Sequence, residues 1–258
     1  MDRREATGSI LALAGTLKGS LSRGSTQAGG ATESRDILMV VYPSFTALDL
    51  VGPHHVLSSL PGYRVKLVWK TKNELLSDTG LSVRPTATFA ECVENPAVLF
   101  VPGGTQGTLA AMEDREVREF VASRGAKARF VTSVCTGALI LGAAGLLKGY
   151  KATTHWLVLD ALKAFGAEPV ANRVVEDRNR ITGGGVTAGI DFGLSLAAKL
   201  ANEPLARGIQ LVMEYDPQPP YRSGSPKTAD PETIQSVKEM FQPFRKRLDI
   251  VTKKVISD

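Results

Sequence analysis

Apolar and polar residues follow one another in blocks that predict strands and helices in alternation after residue 35. Continuous apolar runs at residues 37–42 and 97–101 are typical of strands that are buried on both faces of a sheet. Between such runs, apolar residues recur at helical spacing, as in residues 113–128 and 188–200. Because strands that alternate with helices form parallel sheets covered on both faces, the pattern predicts the α/β class.

Shorter patterns complete the predicted fold. A helix is expected at residues 48–60, interrupted early by Gly52-Pro53, and a single amphipathic helix at residues 232–255. We expect one three-layer α/β/α sandwich with a mostly parallel central sheet, spanning residues 35–258. The remaining predicted elements are strands at 64–69, 130–134 and 150–153, hairpins at 75–84 and 173–182, and helices at 156–165 and 204–215.

Composition narrows the classes of function. The chain has 258 residues, of which 43% are hydrophobic and 22% charged, as expected of a globular protein. The net charge of +5 comes from scattered basic residues, and the densest run, 244–247, fits a solvated helix face, so we expect no nucleic-acid partner. No apolar stretch approaches the ~20 residues of a membrane span. The two cysteines form no disulfide framework, which favours a cytoplasmic location, and the three histidines have no metal-ligand spacing.

Residues 1–34 form a segment rich in Gly, Ser, Thr and Ala that we exclude from the predicted domain. Its composition favours a disordered extension. Arg3-Arg4 followed by the apolar run 10–17 also resembles a twin-arginine export signal, which would place the protein in the periplasm.

The most informative segment is the junction of strand and helix at Cys135. A β-branched run ends at this cysteine, and a helix pattern rich in small residues begins at once with Thr136 and Gly137. A cysteine on such a sharp turn has the setting of a nucleophile elbow, and the helix N-terminus behind it would favour the thiolate. The alternative is a structural cysteine buried in the core.

Two other predicted strand ends carry polar or flexible residues. Asp49 lies between two leucines after the first strand; taken alone, it fits the N-cap of a helix better than a catalytic carboxylate. Gly103, Gly104 and Thr105 follow the strand at 97–101, where paired glycines suit an oxyanion hole as well as a plain tight turn. The carboxyl ends of parallel strands meet at one edge, so these residues are expected near Cys135.

One further segment carries the histidine that is distant from the first helix. His155 could act as a base near the thiol or serve as a structural histidine, and the sequence favours neither. Trp156 is expected to line the pocket or the core. Cys92 lies in a loop region and shows no sign of a role.

The chain resembles the ThiJ/PfpI superfamily in five motifs that occur in the same order: LDLVGP, VPGGT, SVCTGALILGAAGLL, ATTHW and ITGGGVTAGIDFGL. The resemblance implies a flavodoxin-like, class I glutamine amidotransferase-like fold. Within the superfamily the chain is most similar to the isonitrile (isocyanide) hydratases, homodimers that convert isonitriles to N-substituted formamides without a cofactor. By this resemblance Cys135 is the nucleophile, Asp49 the general acid/base and Thr136 a polar neighbour in the active site.

Other branches of the superfamily differ at these positions. Protease-like and glyoxalase-like members have His where this chain has Thr136, and chaperone-like members have Glu where it has Asp49. AraC-type regulators share the segments around Cys135 and His155 but need a C-terminal helix-turn-helix domain, which we do not expect after residue 231. The alternative function is therefore a cysteine-based redox or small-ligand sensor related to the N-terminal domains of these regulators.

Overall fold

The computed structural model describes residues 34–258. The predictions for the N-terminal extension, including the signal at Arg3-Arg4, lie outside the described residues. The strands are β1 (Asp36–Val40), β2 (Arg64–Trp69), β3 (Leu75–Leu76), β4 (Ser82–Val83), β5 (Ala87–Thr88), β6 (Val98–Val101), β7 (Phe130–Val134), β8 (Lys151–Ala152), β9 (Glu168–Pro169), β10 (Val174–Asp177) and β11 (Arg180–Gly183). The helices are α1 (Ala47–Ser58), α2 (Gln106–Glu113), α3 (Arg115–Gly125), α4 (Gly137–Ala143), α5 (Ala188–Leu200), α6 (Glu203–Val212), α7 (Pro231–Met240) and α8 (Gln242–Ser257), with 3-10 segments at Phe89–Glu91 and Trp156–Phe165.

Among the described residues, the main sheet has seven strands in the order β10-β11-β7-β6-β1-β2-β5. All neighbouring pairs are parallel except β10 with β11. Strands β1, β6 and β7 are almost wholly buried, as their continuous apolar runs predict. Because β1, β6, β7 and β11 run in the same direction, their carboxyl ends lie along one edge of the sheet. The predicted α/β class with a mostly parallel central sheet is confirmed.

Helices cover both faces of the sheet. Helices α1, α5 and α6 pack together on one face, and α2, α3, α4 and α8 pack together on the other. The contact of α1 with α5 is close, since a Cβ placed on Gly189 would lie 3.1 Å from the Pro53 ring. The predicted interruption at Gly52-Pro53 is wrong, because α1 runs through Pro53. Burial of the proline ring against α5 offsets the hydrogen bond that its missing N–H would have made.

Of the two long helices predicted at 113–128 and 232–255, the first is a single helix and the second is two. The segment predicted at 113–128 corresponds to α3, which begins after Asp114, whose side chain accepts the Val117 N–H at 3.2 Å as an N-cap. Glu113 belongs to α2, a helix that the sequence pattern does not predict. The terminal segment predicted at 232–255 divides at Phe241, where α7 ends and α8 begins with Pro243 in its first turn. Periodicity alone misses the break at Phe241 because the apolar spacing continues across it.

The remaining predictions agree closely with the structure. Both predicted hairpins are present as the antiparallel pairs β3–β4 and β10–β11. The segment 156–165 is helical but of the 3-10 type, with a kink at Val158, and it ends at Gly166 with φ +73°. Within residues 34–258, no helix is long and apolar enough to span a membrane.

Candidate active site

Cys135 lies between β7 and α4 in a backbone conformation that residues other than glycine rarely adopt. Its φ is +55°, in the left-handed region. Hydrogen bonds hold the residue on both sides: its N–H donates to the Gly184 carbonyl at 2.7 Å, and its own carbonyl accepts the Thr154 hydroxyl at 2.7 Å. A strained residue held between a strand and a helix has the geometry of a nucleophile elbow.

Asp49 meets Cys135 from the first strand–helix unit. It is the third residue of α1 and has no exposed surface, whereas Thr46 stands at the N-cap. The N-cap interpretation of Asp49 is therefore wrong. Its Oδ2 accepts the Gly103 N–H at 3.0 Å, and its carboxyl group hydrogen-bonds to the Cys135 thiol. Its Oδ1 is buried without a nitrogen or oxygen partner among the described residues, and a buried polar atom left unpaired marks a candidate functional group.

Gly103 brings the two reactive groups together. A Cβ placed on this glycine would lie 2.6 Å from Asp49 Oδ2, 2.8 Å from Cys135 Cβ and 2.7 Å from the Thr136 nitrogen. No side chain fits at these distances. Only glycine therefore allows the loop after β6 to pack against both Asp49 and Cys135 while still donating its N–H to the carboxylate.

Burial sets the protonation state of this pair. Burial raises the pKa of Asp49 to about 7, although its hydrogen bonds to Cys135 and Gly103 act in the opposite direction. Burial also raises the pKa of the Cys135 thiol, and the negative charge of Asp49 adds to this effect. The N–H groups of Thr136 and Val186 donate to the sulfur and lower the thiol pKa.

The net effect on the thiol is upward, so the expectation that the helix terminus favours the thiolate is wrong for the resting site. Cys135 is only 6% exposed, and desolvation outweighs the two N–H donors. Above about pH 7 the pair holds one proton, with the thiol protonated and the carboxyl ionised, whereas below this pH both groups are protonated.

The Thr136 hydroxyl anchors the loop after β6. Its Oγ1 accepts the Gly104 N–H at 2.9 Å, donates to the Gly104 carbonyl at 2.7 Å and lies 2.8 Å from Thr108 Oγ1. The Tyr42 hydroxyl extends this network, because it lies 3.2 Å from Thr108 Oγ1 and donates to the Pro102 carbonyl at 2.8 Å. The side chain of Thr136 thus fixes the loop, while its backbone N–H faces the sulfur.

These contacts correct the predicted oxyanion hole. The N–H of Gly103 donates to Asp49 and that of Gly104 donates to Thr136, so neither is free for a substrate. Thr105 is half-buried at the N-terminus of α2, and its side chain makes no capping hydrogen bond. The backbone donors that face the sulfur are instead those of Thr136 and Val186.

A cavity of about 640 Å³ lies beside the thiol. Cys135 does not line it directly, but Thr154 and Val186 both contact Cys135 and both line the cavity. His155 and Trp156 also line it, as predicted for a pocket wall. Its volume falls within the range of small-molecule sites in proteins.

His155 is held in a neutral form at this wall. Its Nδ1 accepts the Leu157 N–H at 3.4 Å, and burial lowers its pKa. Its ring lies against Gly185, where a Cβ would be 3.0 Å from the ring carbon Cδ2. These contacts support the structural interpretation of His155 over the catalytic one. Across residues 34–258, no group of three or more His, Cys, Asp or Glu side chains is placed to hold a metal ion.

Several residues of the site were not identified from the sequence. Thr154, Val186, Thr108 and Tyr42 contact the reactive groups or their supports through hydroxyl or backbone groups, which leave no spacing pattern. Asp78 is a further case: it accepts the Thr46 hydroxyl at 2.8 Å and the Ala47 N–H at 3.2 Å, and so caps α1 from a distant hairpin. Among these residues, Thr154 lies within the ATTHW motif and Val186 within the ITGGGVTAGIDFGL motif, and these positions were the signal that could have found them.

Comparison with known protein families shows which family the chain belongs to. The sequence profile of the DJ-1/PfpI family matches residues 35–199, about two thirds of the chain, and we conclude that the chain belongs to this family. The match includes β1, β6 and β7, whose carboxyl ends carry the site described above.

Individual relatives agree with this assignment. An isonitrile hydratase from Pseudomonas putida is 47% identical over 215 residues, covering 83% of this chain and 93% of the relative. A crystal structure of a ThiJ/PfpI family protein from Pseudomonas syringae has a TM-score of 0.83 and 50% sequence identity, covering 90% of this chain and 99% of that one. The HTH-type transcriptional regulator GbdR from Pseudomonas aeruginosa is 28% identical over 70% of this chain but only 51% of its own length.

Proposed function

We propose that this chain is an isonitrile hydratase, an enzyme that adds water to an isonitrile to give an N-substituted formamide. The observation that carries the proposal is the buried contact of Cys135 with Asp49 across Gly103, in which a soft nucleophile and a proton donor share one small space. The relative at 47% identity that is named for this activity supports it.

The first step joins the sulfur to the isonitrile carbon. Asp49 accepts the proton of the Cys135 thiol while the sulfur attacks the terminal carbon, and it then delivers this proton to the same carbon. The product is a thioimidate, in which the carbon carries the sulfur, one hydrogen and the double bond to nitrogen. The N–H groups of Thr136 and Val186 stabilise the sulfur while it is anionic.

The second step releases the formamide. Asp49, again ionised, takes a proton from water as the oxygen attacks the thioimidate carbon. The nitrogen gains a proton, the carbon–sulfur bond breaks and the sulfur regains its own proton. The reaction adds one water to one isonitrile and leaves the enzyme unchanged. In the alternative order, Asp49 directs water straight to the carbon and Cys135 only assists; both orders use the same two residues.

The test is formamide production from cyclohexyl or para-nitrophenyl isocyanide. We expect turnover by the unmodified protein and none by Cys135→Ala or Cys135→Ser, with near-complete loss in Asp49→Asn. Cys92→Ala is the matched control, since Cys92 is also buried but its thiol donates to the Thr88 carbonyl away from this site. Turnover that persists in Cys135→Ala would overturn the cysteine mechanism.

A cysteine-based sensor is the second candidate function, favoured by the similarity to one half of the regulator GbdR. A redox sensor depends on an accessible thiolate, whereas the raised thiol pKa and 6% exposure of Cys135 disfavour one. Absence of isonitrile turnover together with labelling of Cys135 by a thiol reagent would favour the sensor.

We further propose that the protein works as a homodimer in the cytoplasm and needs no cofactor. Exposed apolar side chains on α1, those of Leu48 and Val51, lie on the helix that carries Asp49 and are suited to contact with a second copy. Light scattering coupled to size-exclusion chromatography tests the dimer. Full turnover by protein dialysed against a chelator tests the absence of a metal requirement.

A further inference from the structure

The cavity beside the thiol has an apolar inner part and a cationic rim. We propose that it binds the N-substituent of the isonitrile and favours a substituent that ends in an anionic group such as a carboxylate. The inference rests on the proposed hydratase function and names the class of substrate for that site.

The shape of the isonitrile group directs its substituent. Carbon, nitrogen and the first substituent atom lie on one line, so a carbon held at the Cys135 sulfur projects the substituent directly away from it. The neighbours that connect Cys135 to the cavity are Thr154 and Val186. Trp156 and Leu159 continue the apolar lining beyond them. An aryl or alkyl group bound there is removed from water by these side chains.

The rim carries the charge. Arg173 and Lys227 both line the cavity, whereas no Asp or Glu within residues 34–258 does. Arg173 is fixed in place: its Nε donates to Asp191 at 2.5 Å, and its terminal nitrogen lies 3.3 Å from Thr187 Oγ1. The Tyr215 hydroxyl also donates to Asp191, at 3.1 Å. Because Asp191 balances the charge of Arg173, the Arg173–Asp191 pair adds hydrogen-bond donors to the rim but no net charge.

Lys227 supplies the net positive charge. It is exposed and has no ion-pair partner among residues 34–258. It lies in the same loop as Gly224 and Pro226, which also line the cavity, and so places an unbalanced cation where the far end of a substituent would lie. A cation that forms no ion pair attracts an anionic substituent and raises its rate of capture.

The experiment compares two substrates of nearly equal size, 4-isocyanobenzoate and its methyl ester. We expect kcat/KM to be about threefold higher for the acid, through a lower KM with little change in kcat. Lys227→Gln should abolish this preference, and Lys227→Glu should reverse it, for a total change of about tenfold in the ratio. Lys253→Gln on the exposed surface of α8 is the matched control and should leave the ratio unchanged. The preference should weaken at high salt.

The outcomes separate this inference from the proposed function. If the ester is converted but the acid is not preferred, or the Lys227 variants leave the ratio unchanged, the anionic substrate class is wrong and the hydratase function stands. If neither compound is converted by the unmodified protein, the hydratase function fails and the substrate class fails with it.

Discussion

The Thr136 hydroxyl and the Gly104 peptide group form a closed pair of hydrogen bonds, with N–H to Oγ1 at 2.9 Å and Oγ1 to the carbonyl at 2.7 Å. This pair ties the turn after β7, which carries Cys135, to the loop after β6, which carries Gly103. The residue beside the nucleophile therefore holds together the two strand ends between which the thiol and the carboxyl meet.

Replacing Thr136 tests this support. Thr136→Val keeps the shape of the side chain but leaves the Gly104 N–H and the Thr108 hydroxyl without their partner, so we expect a loss of about 2–4 kcal/mol in the free energy of unfolding and a large fall in kcat. Thr136→Ser keeps the hydroxyl and should cost about 1 kcal/mol, the value of one buried methyl group. Urea denaturation and steady-state kinetics measure both effects. A fully active, fully stable Val variant would show that only the Thr136 backbone matters.

Gly103→Ala should inactivate the enzyme without unfolding it. The added Cβ would lie 2.6 Å from Asp49 Oδ2, so the carboxyl and thiol must move apart. A displacement of this size at reacting groups costs about 10²-fold in rate. Gly149→Ala is the control, because a Cβ there meets nothing within 4 Å and Gly149 does not line the cavity; its φ of +73° makes the substitution cost stability but should leave turnover per folded molecule unchanged. Circular dichroism confirms folding in both variants, and retained turnover in Gly103→Ala would contradict the packing argument.

The sequence predicts the fold and the meeting of the site residues because both follow from patterning. Apolar runs at β1, β6 and β7 place Asp49, Gly103 and Cys135 at the same edge of a parallel sheet. The sharp turn at Cys135 is predicted by the abrupt change from strand to helix pattern, and the structure shows it as a residue with φ +55°. None of this requires knowledge of individual side-chain contacts.

The hydrophobic pattern of the sequence does not show which hydrogen-bond partners the individual polar groups find. The sequence predicts that the Gly104 N–H faces a substrate, but in the structure it donates a hydrogen bond to the Thr136 hydroxyl. The position of Cys135 at a helix N-terminus predicts a lowered thiol pKa, but burial and the charge of Asp49 raise it. These outcomes depend on three-dimensional distances and on the depth of burial, which a linear sequence does not contain.

Asp78 should influence the site through α1. Asp78→Ala removes the acceptor for the Thr46 hydroxyl and the Ala47 N–H, and we expect a loss of about 1 kcal/mol in stability. Asp78→Asn keeps an acceptor and should stay near full stability. Because the charge of Asp78 contributes to the raised pKa of Asp49, both variants should move the acidic limb of the rate profile slightly to lower pH.

Asp230→Ala is the control for the effect of a lost cap. Asp230 accepts the Thr233 N–H at 2.8 Å and caps α7, away from the site. Its loss should lower stability by a similar amount and leave the pH profile unchanged. If Asp78→Asn and Asp230→Ala give the same profile as the unmodified protein, Asp78 acts only as a structural cap.

Asp49→Asn should stabilise the fold while it removes activity. The pKa of Asp49 is about 7 in the folded chain against 3.8 in the reference state, so the folded state binds the proton more tightly than the unfolded state. Stability therefore falls as pH rises from about 4 to 7 and is lowest above 7. Removing the ionisable group should recover at most about 4 kcal/mol at pH 8, and less at pH 5. Urea denaturation at both pH values measures the difference; an equal effect at pH 5 and 8 would mean that Asp49 is not the titrating group.

The dependence of kcat/KM on pH should be bell-shaped, with its acidic limb near pH 7. Below this value Asp49 holds its own proton and cannot accept the one from Cys135, so the first step stops. At high pH the pair loses the shared proton that the isonitrile carbon must receive, and activity falls as the thiol ionises. The profile is measured with a neutral isonitrile so that the substrate does not titrate. A rate that is constant from pH 5 to pH 8 would show that the proton is delivered by a group other than Asp49.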